Sequence, residues 1–144
     1  MEDDVVIAKI RKSSVSEVWV TARTYAGKTL CDVREHFHPA ESPDWLPTKK
    51  GVSIPKEVLA KAVDAAEKLA SQDSVGDVAE IPRGRKAKLC FAVREYQKHI
   101  YGEIRTYYLD QGGGDVWKPG KGVTLPLSKL GPLAEALRLA EDEV

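Results

Sequence analysis

Basic and aromatic residues alternate in two stretches of the sequence, where the spacing would place them on one side of an extended strand. Arg23 is followed two residues later by Tyr25, and Arg94 is followed in the same way by Tyr96. Strand side chains repeat every two residues, so each pair shares a face. Cations contact phosphates and aromatic rings stack on bases, so the pattern is typical of surfaces that bind single-stranded nucleic acid.

The formal net charge is zero, but the charges are unevenly distributed along the chain. Between Ile81 and Leu109 there are seven lysines and arginines and only two acidic residues. Acidic residues are concentrated at the start of the chain, around residues 73–80, and in the last four residues. Local potential rather than net charge steers an anionic partner, so a basic sheet with acidic margins remains compatible with nucleic-acid binding.

Nearly the same phrase occurs twice, as WLPTKKGVSIP at Trp45–Pro55 and as VWKPGKGVTLP at Val116–Pro126. An offset of 71 residues aligns the two without a gap, and the same offset pairs Arg23 with Arg94, Tyr25 with Tyr96, and Arg34 with Arg105. A fixed register over so much of the chain indicates a tandem duplication.

Each copy has the pattern of several strands followed by one helix. VWVTARTY and TLCDVREHF alternate as the strands of a hairpin, KGVSI is a short strand, and VVIAKI supplies a first strand. KEVLAKAVDAAEKLA then has apolar residues at helical spacing. We expect an α+β protein with a first repeat at residues 1–70, a linker at 71–80 and a second repeat at 81–144.

Catalytic, metal and membrane functions have little support in the sequence. His36, His38 and Asp44 could imitate a metal site, but the second copy has Tyr107 and Leu109 at the histidine positions. Gly112–Gly114 lacks the Lys-Ser/Thr that follows a phosphate-binding loop. We therefore expect no enzyme activity, no metal and no cofactor. No apolar run approaches the roughly 18 residues of a membrane span, and two cysteines without metal spacing favour the cytoplasm.

Several of these segments resemble the positive cofactor four family of transcriptional coactivators and single-stranded DNA-binding proteins. WVTARTYAGKTLCDVREHF followed by TKKGVSIP carries the resemblance in the first copy, and FAVREYQKHIYGEIRTYYLD followed by WKPGKGVTLP carries it in the second. The resemblance implies a ββββα unit that pairs through its helix and sheet edge. Two such units in one chain would form a pseudo-two-fold intrachain dimer with curved antiparallel sheets.

The resemblance also implies a set of contact residues for the nucleic acid. These are Arg23, Tyr25, Lys28, Arg34, Phe37, Lys49 and Lys50 in the first copy, and Arg94, Tyr96, Lys98, Arg105, Tyr108, Trp117, Lys118 and Lys121 in the second. The position equivalent to Lys28 is His99, and Lys98 is the cation adjacent to it. Gly120 stands where the first copy has Lys49. Strand alternation places Arg34 and Phe37 on opposite faces unless a bulge intervenes.

Together these observations predict a binder of single-stranded DNA with little sequence preference, which acts as a transcriptional cofactor or in replication or repair. RNA is an alternative ligand, and further association of chains is left open. A bacterial member of the family would be nucleoid-associated. Two other interpretations remain: a purine-rich-element type of single-stranded DNA or RNA-binding repeat, and a protein-interaction module that contacts the transcription machinery.

Overall fold

The chain folds into two four-stranded antiparallel sheets, each followed by a helix. A computed structural model describes residues 4–110, 112 and 114–144. The first sheet has the order β1-β2-β3-β4, and the second has the order β5-β6-β7-β8. The first copy comprises β1 Val5–Arg11, β2 Ser16–Tyr25, β3 Lys28–Phe37, β4 Leu46–Pro55 and α1 Lys56–Ala70. The second comprises β5 Gly76–Pro82, β6 Ala87–Tyr96, β7 His99–Asp110, β8 Val116–Pro126, a 3-10 turn Leu127–Lys129 and α2 Leu130–Ala140.

The predicted α+β class and the two ββββα repeats are confirmed, and the 71-residue offset also governs the structure. Strands β1 and β2 coincide with β5 and β6 when 71 is added to their first and last residues. The predicted linker at 71–80 is wrong in part, because residues 76–80 belong to β5. Adding the 71-residue offset to the predicted first strand, VVIAKI, would have identified β5.

The last strand of each sheet is longer than the short strand that the sequence predicts. β4 begins at Leu46, before the predicted KGVSI segment, and β8 begins at Val116 with a similar extension. A register shift lies between Arg34 and His36 where β3 pairs with β4, and another lies between Arg105 and Tyr107 where β7 pairs with β8. In both sheets the last strand has a bulge near an arginine of the neighbouring strand. The bulge changes the direction in which the side chains of the last strand point.

One hydrophobic core serves both copies. Its members include Val20 and Val33 of the first sheet, Phe91 and Ile104 of the second, and the apolar faces of α1 and α2. Helix α1 packs against β5 and β6 of the other copy as well as β3 and β4 of its own, while α2 packs against β1 and β2. The helices also contact each other, and Arg138 forms an ion pair with Glu67 between them. The copies are therefore interlocked.

Both helices bury apolar residues at helical spacing, although Val58 of α1, which the same pattern selects, is only partly buried. Leu59, Ala62, Val63, Ala66 and Leu69 of α1 are buried. In α2 the buried set includes Leu130, Leu133, Leu137 and Ala140. Pro132 lies in the first turn of α2, where a missing N–H costs no helical hydrogen bond. Within the part of the chain that the structure describes, neither helix has the length and apolar character of a membrane span.

At one of the core positions that differ between the copies, the space left by a neighbouring side chain explains the difference. Cys31 of β3 is fully buried, while its equivalent in β7 is Gly102. A Cβ atom added to Gly102 would lie 2.5 Å from Cδ2 of Leu130, the residue at which α2 begins. Leu130 therefore occupies the space that a side chain at position 102 would need.

We predict that Gly102→Ala lowers the free energy of unfolding by about 1–3 kcal/mol, because the core at this point is already full. Urea denaturation followed by circular dichroism measures it. Gly131→Ala is the matched control, since a Cβ at this helical position meets nothing within 4 Å. The control should be neutral or stabilising by up to about 1 kcal/mol. Additive losses in Gly102→Ala/Leu130→Ala would contradict the proposed contact.

Candidate nucleic-acid interface

Each sheet has one face that the helices do not cover, which we call its outer face. On β2, Val18 and Val20 point into the core, so the alternate residues Trp19, Arg23 and Tyr25 point outward. The unbroken register between β2 and β3 places Trp19 opposite Arg34, and Arg23 opposite Leu30. Opposed residues of paired strands share a face, so Arg34 also lies on the outer face of the first sheet.

The second sheet repeats this arrangement. Leu89, Phe91 and Val93 of β6 point into the core, so Arg94 and Tyr96 lie on the outer face. Cys90 is opposite Arg105, and Lys88 is opposite Tyr107, so these four residues also lie on that face. The prediction that Arg23 and Tyr25, and likewise Arg94 and Tyr96, share a face agrees with these registers.

The tyrosines at the ends of β2 and β6 are the most exposed aromatic residues on these faces. Tyr25 is 67% exposed and Tyr96 is 64% exposed. Each precedes a two-residue hairpin turn in the left-handed region, formed by Ala26 and Gly27 in one copy and by Gln97 and Lys98 in the other. Lys98 has a φ of 69°, where the first copy has glycine, so an exposed cation lies beside Tyr96 at a backbone position that usually favours glycine. Lys28 is exposed beside Tyr25 in the first hairpin.

The arginines of β3 and β7 are held in place by equivalent contacts. Arg34 donates two hydrogen bonds to the carboxylate of Asp32, at 3.1 and 3.0 Å, and a third to the Thr48 carbonyl oxygen at 3.0 Å. Arg105 forms an ion pair with Glu103 at 3.0 Å and donates a hydrogen bond to the Gly120 carbonyl oxygen at 2.8 Å. Asp32 and Glu103 are both buried. These carboxylates fix the direction of each guanidinium and offset part of its charge.

The arginines beside the tyrosines are also paired with acidic residues. Arg23 lies 3.4 Å from a carboxylate oxygen of Asp4, and Arg94 lies 2.8 Å from one of Asp77. These pairs are partly exposed, so each contributes little stability and either carboxylate can be displaced by another anion. The outer faces therefore present rings and oriented guanidinium groups rather than a surplus of free charge.

The surplus of cations lies at the junction where the copies meet along β4 and β8. One cavity there has a volume of about 300 Å³, and the residues that line it include Lys12, Lys49, Lys50, Arg105 and Lys121, with Glu35 as the acidic member. A second cavity of about 360 Å³ is lined by residues that include Arg34, Arg83 and Lys121. Lys12 and Arg83 are equivalent under the 71-residue offset, so the two cavities are related by the duplication.

Contacts between the copies frame these cavities. Lys12 Nζ lies 2.7 Å from Glu35 Oε1 and donates a hydrogen bond of 2.9 Å to Thr124 Oγ1 of the other copy. Arg83 donates a hydrogen bond of 3.3 Å to the Ser53 carbonyl oxygen. Lys12 and Arg83 were not among the contacts that the resemblance implies. Each lies in the turn between the first two strands of its copy, and only the packing of the two copies brings it to the junction.

Phe37 and Tyr108 do not lie on the outer faces. The β2–β3 register pairs Phe37 with Ser16, on the face opposite to Arg34, and the β6–β7 register likewise places Tyr108 opposite Ala87. The bulges are in β4 and β8, so β3 and β7 keep their alternation. Phe37 and Tyr108 therefore lie on the faces opposite to Arg34 and Arg105, as strand alternation predicts, and Tyr108 lines the larger junction cavity. Their role as contacts of the nucleic acid stays a prediction.

The glycine that replaces Lys49 in the second copy has a steric cause. A Cβ at Gly120 would lie 2.4 Å from Cε2 of Tyr108, so the Tyr108 ring rests on this glycine. Lys118, which was also predicted as a contact, is exposed on β8 and paired with Asp110 at 2.8 Å. Its ammonium group is thus directed to the end of β7.

Several outer-face residues were not assigned as contacts from the sequence. The Trp19 ring stacks on the His36 ring with centroids 4.0 Å apart, and Lys9 Nζ lies 4.3 Å from the Trp19 centroid. In the second sheet, Lys88 Nζ lies 4.5 Å from the Trp117 ring centroid, and Tyr107 lies opposite Lys88. The sequence could have identified His36 and Tyr107, because a spacing of two residues places His36 on the same face as Arg34, and Tyr107 on the same face as Arg105.

Comparison with known proteins finds a matching family model and similar solved structures. The family model Transcriptional Coactivator p15 (PC4) matches residues 13–65, which lie within the first copy. A solved structure of BPSL1147, a PC4 homolog from Burkholderia pseudomallei K96243, is 30% identical in its orthorhombic crystal form. That match covers 50% of this chain and 95% of the homolog, with a TM-score of 0.44. The chain belongs to the PC4 family.

The tetragonal form of the same PC4 homolog is 31% identical, and its match covers 49% of this chain and 100% of the homolog, with a TM-score of 0.43. Both matches account for nearly the whole homolog and about half of this chain. The homolog thus has the length of one copy. Among curated proteins, no significant match to this chain is found.

The His36 ring, which stacks on Trp19, is expected to make the stability of the folded protein depend on pH. Burial lowers the pKa of His36, against the opposing effects of the Arg34 carbonyl and the Asp32 carboxylate. The unfolded chain therefore binds the His36 proton more readily than the folded protein does. Stability should decrease as the pH falls through the unfolded-state pKa of about 6.5 and level off below the folded-state value.

We predict that His36→Phe, which keeps a ring against Trp19, removes this component. Thermal and urea unfolding at pH 7.5 and pH 5 should show a larger loss of stability for the wild-type protein than for the variant. Equal losses in both proteins would show that His36 does not carry the pH dependence.

Proposed function

We propose that this protein binds single-stranded DNA with little sequence preference, through the outer faces of its two sheets and the junction between them. The observation that carries the proposal is the repeated pair of an exposed tyrosine and an adjacent arginine, Tyr25 with Arg23 and Tyr96 with Arg94, on sheet faces that the helices leave uncovered. The PC4 family description, transcriptional coactivator, favours a role in transcription.

The chemistry of the surface fits a single strand better than a duplex. Rings on a sheet can stack on unpaired bases, which a duplex keeps within its own stack. A major-groove reader would instead present a helix or a two-stranded ribbon, and both helices here pack into the shared core. The junction cations would contact the phosphates between the two faces.

The site residues proposed for this function follow from the structure and from the sequence together. On the outer faces and hairpins they are Arg23, Tyr25, Lys28, Arg34, Arg94, Tyr96, Lys98, Arg105 and Trp117, and at the junction they are Lys12, Lys49, Lys50, Arg83 and Lys121. Tyr108 belongs to the junction set, and Lys118 to the exposed margin of β8. No step of the proposal requires catalysis.

The direct test is fluorescence anisotropy with labelled oligo-dT, single-stranded RNA of matched length and duplex DNA at several salt concentrations. Tight, salt-sensitive binding to oligo-dT with weaker binding to duplex is expected. Tighter binding to RNA would reassign the ligand. Failure to bind all three at low salt would contradict the proposal and leave the outer faces as protein-docking surfaces.

We predict that Tyr25→Ala combined with Tyr96→Ala weakens oligo-dT binding, because base–aromatic stacking contributes about 1–3 kcal/mol per base. The fold should be retained, since both rings are mostly exposed. Leu139→Ala is the matched control, because Leu139 is 49% exposed but lies on α2. Unchanged affinity in the folded double variant would remove the tyrosines from the interface.

The junction cations should determine the salt dependence. Changing Lys49, Lys50 and Lys121 to Gln should reduce the slope of log K against log salt by about 2, since each phosphate neutralised on a single strand contributes roughly 0.7. The matched control changes Lys56, Lys61 and Lys68, three exposed lysines of α1, and has the same charge change. Equal slopes for both triple variants would show that net charge, and not the junction, controls binding.

A further inference from the structure

The hairpin turns beside the two exposed tyrosines have the same backbone shape but different residues. Ala26 and Gly27 join β2 to β3, and Gln97 and Lys98 join β6 to β7. Their φ angles are 52° and 77° in the first turn, and 50° and 69° in the second. Hairpins with two-residue loops favour positive φ at both positions, because that geometry matches the twist of the strands. The fold therefore determines the backbone of both turns, and the sequence determines how much that backbone costs.

The cost is higher in the second turn. Glycine adopts positive φ readily, whereas any other residue brings its Cβ atom close to the following carbonyl oxygen. The first turn places glycine at its second position, but the second turn has a long side chain at both positions. In the part of the chain that the structure describes, Gln97 and Lys98 are the only two consecutive non-glycine residues with positive φ. The second hairpin is thus strained where the first is largely relaxed.

A cation has changed position together with this difference. The β2–β3 register places Lys28 opposite Tyr25, and the β6–β7 register places His99 opposite Tyr96. The second copy therefore has histidine where the first copy has its hairpin lysine. Its own hairpin lysine, Lys98, lies one residue earlier, inside the strained turn.

Lys98 also differs from the other cations of the second sheet in having no acidic partner. Lys88, Arg94, Arg105 and Lys118 are each paired with a carboxylate, at distances between 2.8 and 3.1 Å. Lys98 is exposed and forms no ion pair with any residue that the structure describes. Its full charge is therefore available to an anion that approaches the hairpin.

The other residue of the strained turn contacts the tyrosine itself. Gln97 Nε2 lies 3.4 Å from the Tyr96 hydroxyl oxygen, to which it donates a weak hydrogen bond. One residue of the turn thus holds the phenol, and the next presents a free cation beside it. Backbone strain of this kind persists in proteins where a function needs the residue in that conformation.

We propose that Lys98 contacts a backbone phosphate of the single strand whose base stacks on Tyr96, and that the second hairpin keeps its strained turn for this contact. The inference rests on the proposed function, because the phosphate belongs to the bound strand. It makes Lys98 a determinant of affinity that lowers the stability of the free protein. Stability and binding should therefore change in opposite directions when this residue is altered.

The first test is Lys98→Gly, which installs the residue of the first turn. The melting temperature, followed by circular dichroism, should rise by about 2–5 °C, because relief of the left-handed conformation exceeds the added freedom of glycine in the unfolded chain. Anisotropy with labelled oligo-dT in a Tyr25→Ala background, which weakens the first face, should show about two- to fivefold weaker binding. The slope of log K against log salt should fall by about 0.7, as expected for one lost phosphate contact.

Two further substitutions at this position separate charge from strain. Lys98→Gln removes the charge but keeps a long side chain at positive φ, so it should lose the same affinity and leave the melting temperature nearly unchanged. Lys98→Arg keeps the charge and should retain the affinity. Lys61→Gln is the matched control for net charge, because Lys61 is exposed on α1, and it should leave the salt slope unchanged.

The reciprocal substitution gives the first hairpin the same device. A Cβ atom at Gly27 would meet nothing within 4 Å, so a side chain there is strained by its backbone and not by its neighbours. Gly27→Lys should lower the melting temperature while tightening oligo-dT binding and raising the salt slope by about 0.7. Gly27→Ala imposes the strain without the charge, and should lower the melting temperature with no gain in affinity.

The outcomes separate this inference from the proposed function. Unchanged affinity and salt slope in Lys98→Gly would remove the phosphate contact, while binding of oligo-dT by the starting protein would leave the proposed function standing. A melting temperature that does not rise in Lys98→Gly would contradict the strain. Equal losses of slope in Lys61→Gln and Lys98→Gln would assign the effect to net charge and overturn the inference. Absence of oligo-dT binding by the unmodified protein would overturn both proposals.

Discussion

The packing of each helix against the sheet of the other copy is the interaction on which the rest of the structure depends. α1 lies against β5 and β6, α2 lies against β1 and β2, and the helices contact each other. A four-stranded sheet with a single helix has too little apolar surface to form a large core alone. Sharing one core solves this for both copies. It also determines which sheet faces remain uncovered and brings β4 and β8 together, so the candidate interface is a consequence of the core.

Fusion of the two copies in one chain allows their surfaces to differ. The arginine anchors are kept in both copies, as Arg34 with Asp32 and Arg105 with Glu103. Other equivalent positions have changed together with their neighbours. Gly120 accommodates Tyr108, and Gly102 accommodates Leu130, so each glycine is explained by a ring or side chain that packs on it. In an assembly of identical chains, both faces would have to carry the same residues.

Much of the fold could be predicted because the duplication is visible in the sequence. The 71-residue offset and the strand alternation together predict the hairpins, the helices and the shared face of Arg23 with Tyr25. The sequence failed to predict β5, where the polar composition of residues 71–80 favoured a linker and pairing with β6 overrides that preference. Lys12 and Arg83 were missed as site residues because their position depends on contacts between the copies. Strand alternation predicts that Phe37 and Arg34 lie on opposite faces, and the structure agrees because the bulges are in β4 and β8 and not in β3 and β7.

We propose that the uncovered faces of both sheets and the junction between them, and not the helices, bind single-stranded DNA. Backbone amide chemical shifts, followed by NMR during titration with oligo-dT, test this proposal residue by residue. The largest shifts are expected along β2, β3, β6 and β7, in the two tyrosine hairpins and at the β4–β8 junction, with small shifts in the exposed turns of α1 and α2. Shifts concentrated on the helices, or confined to one copy at saturation, would contradict it.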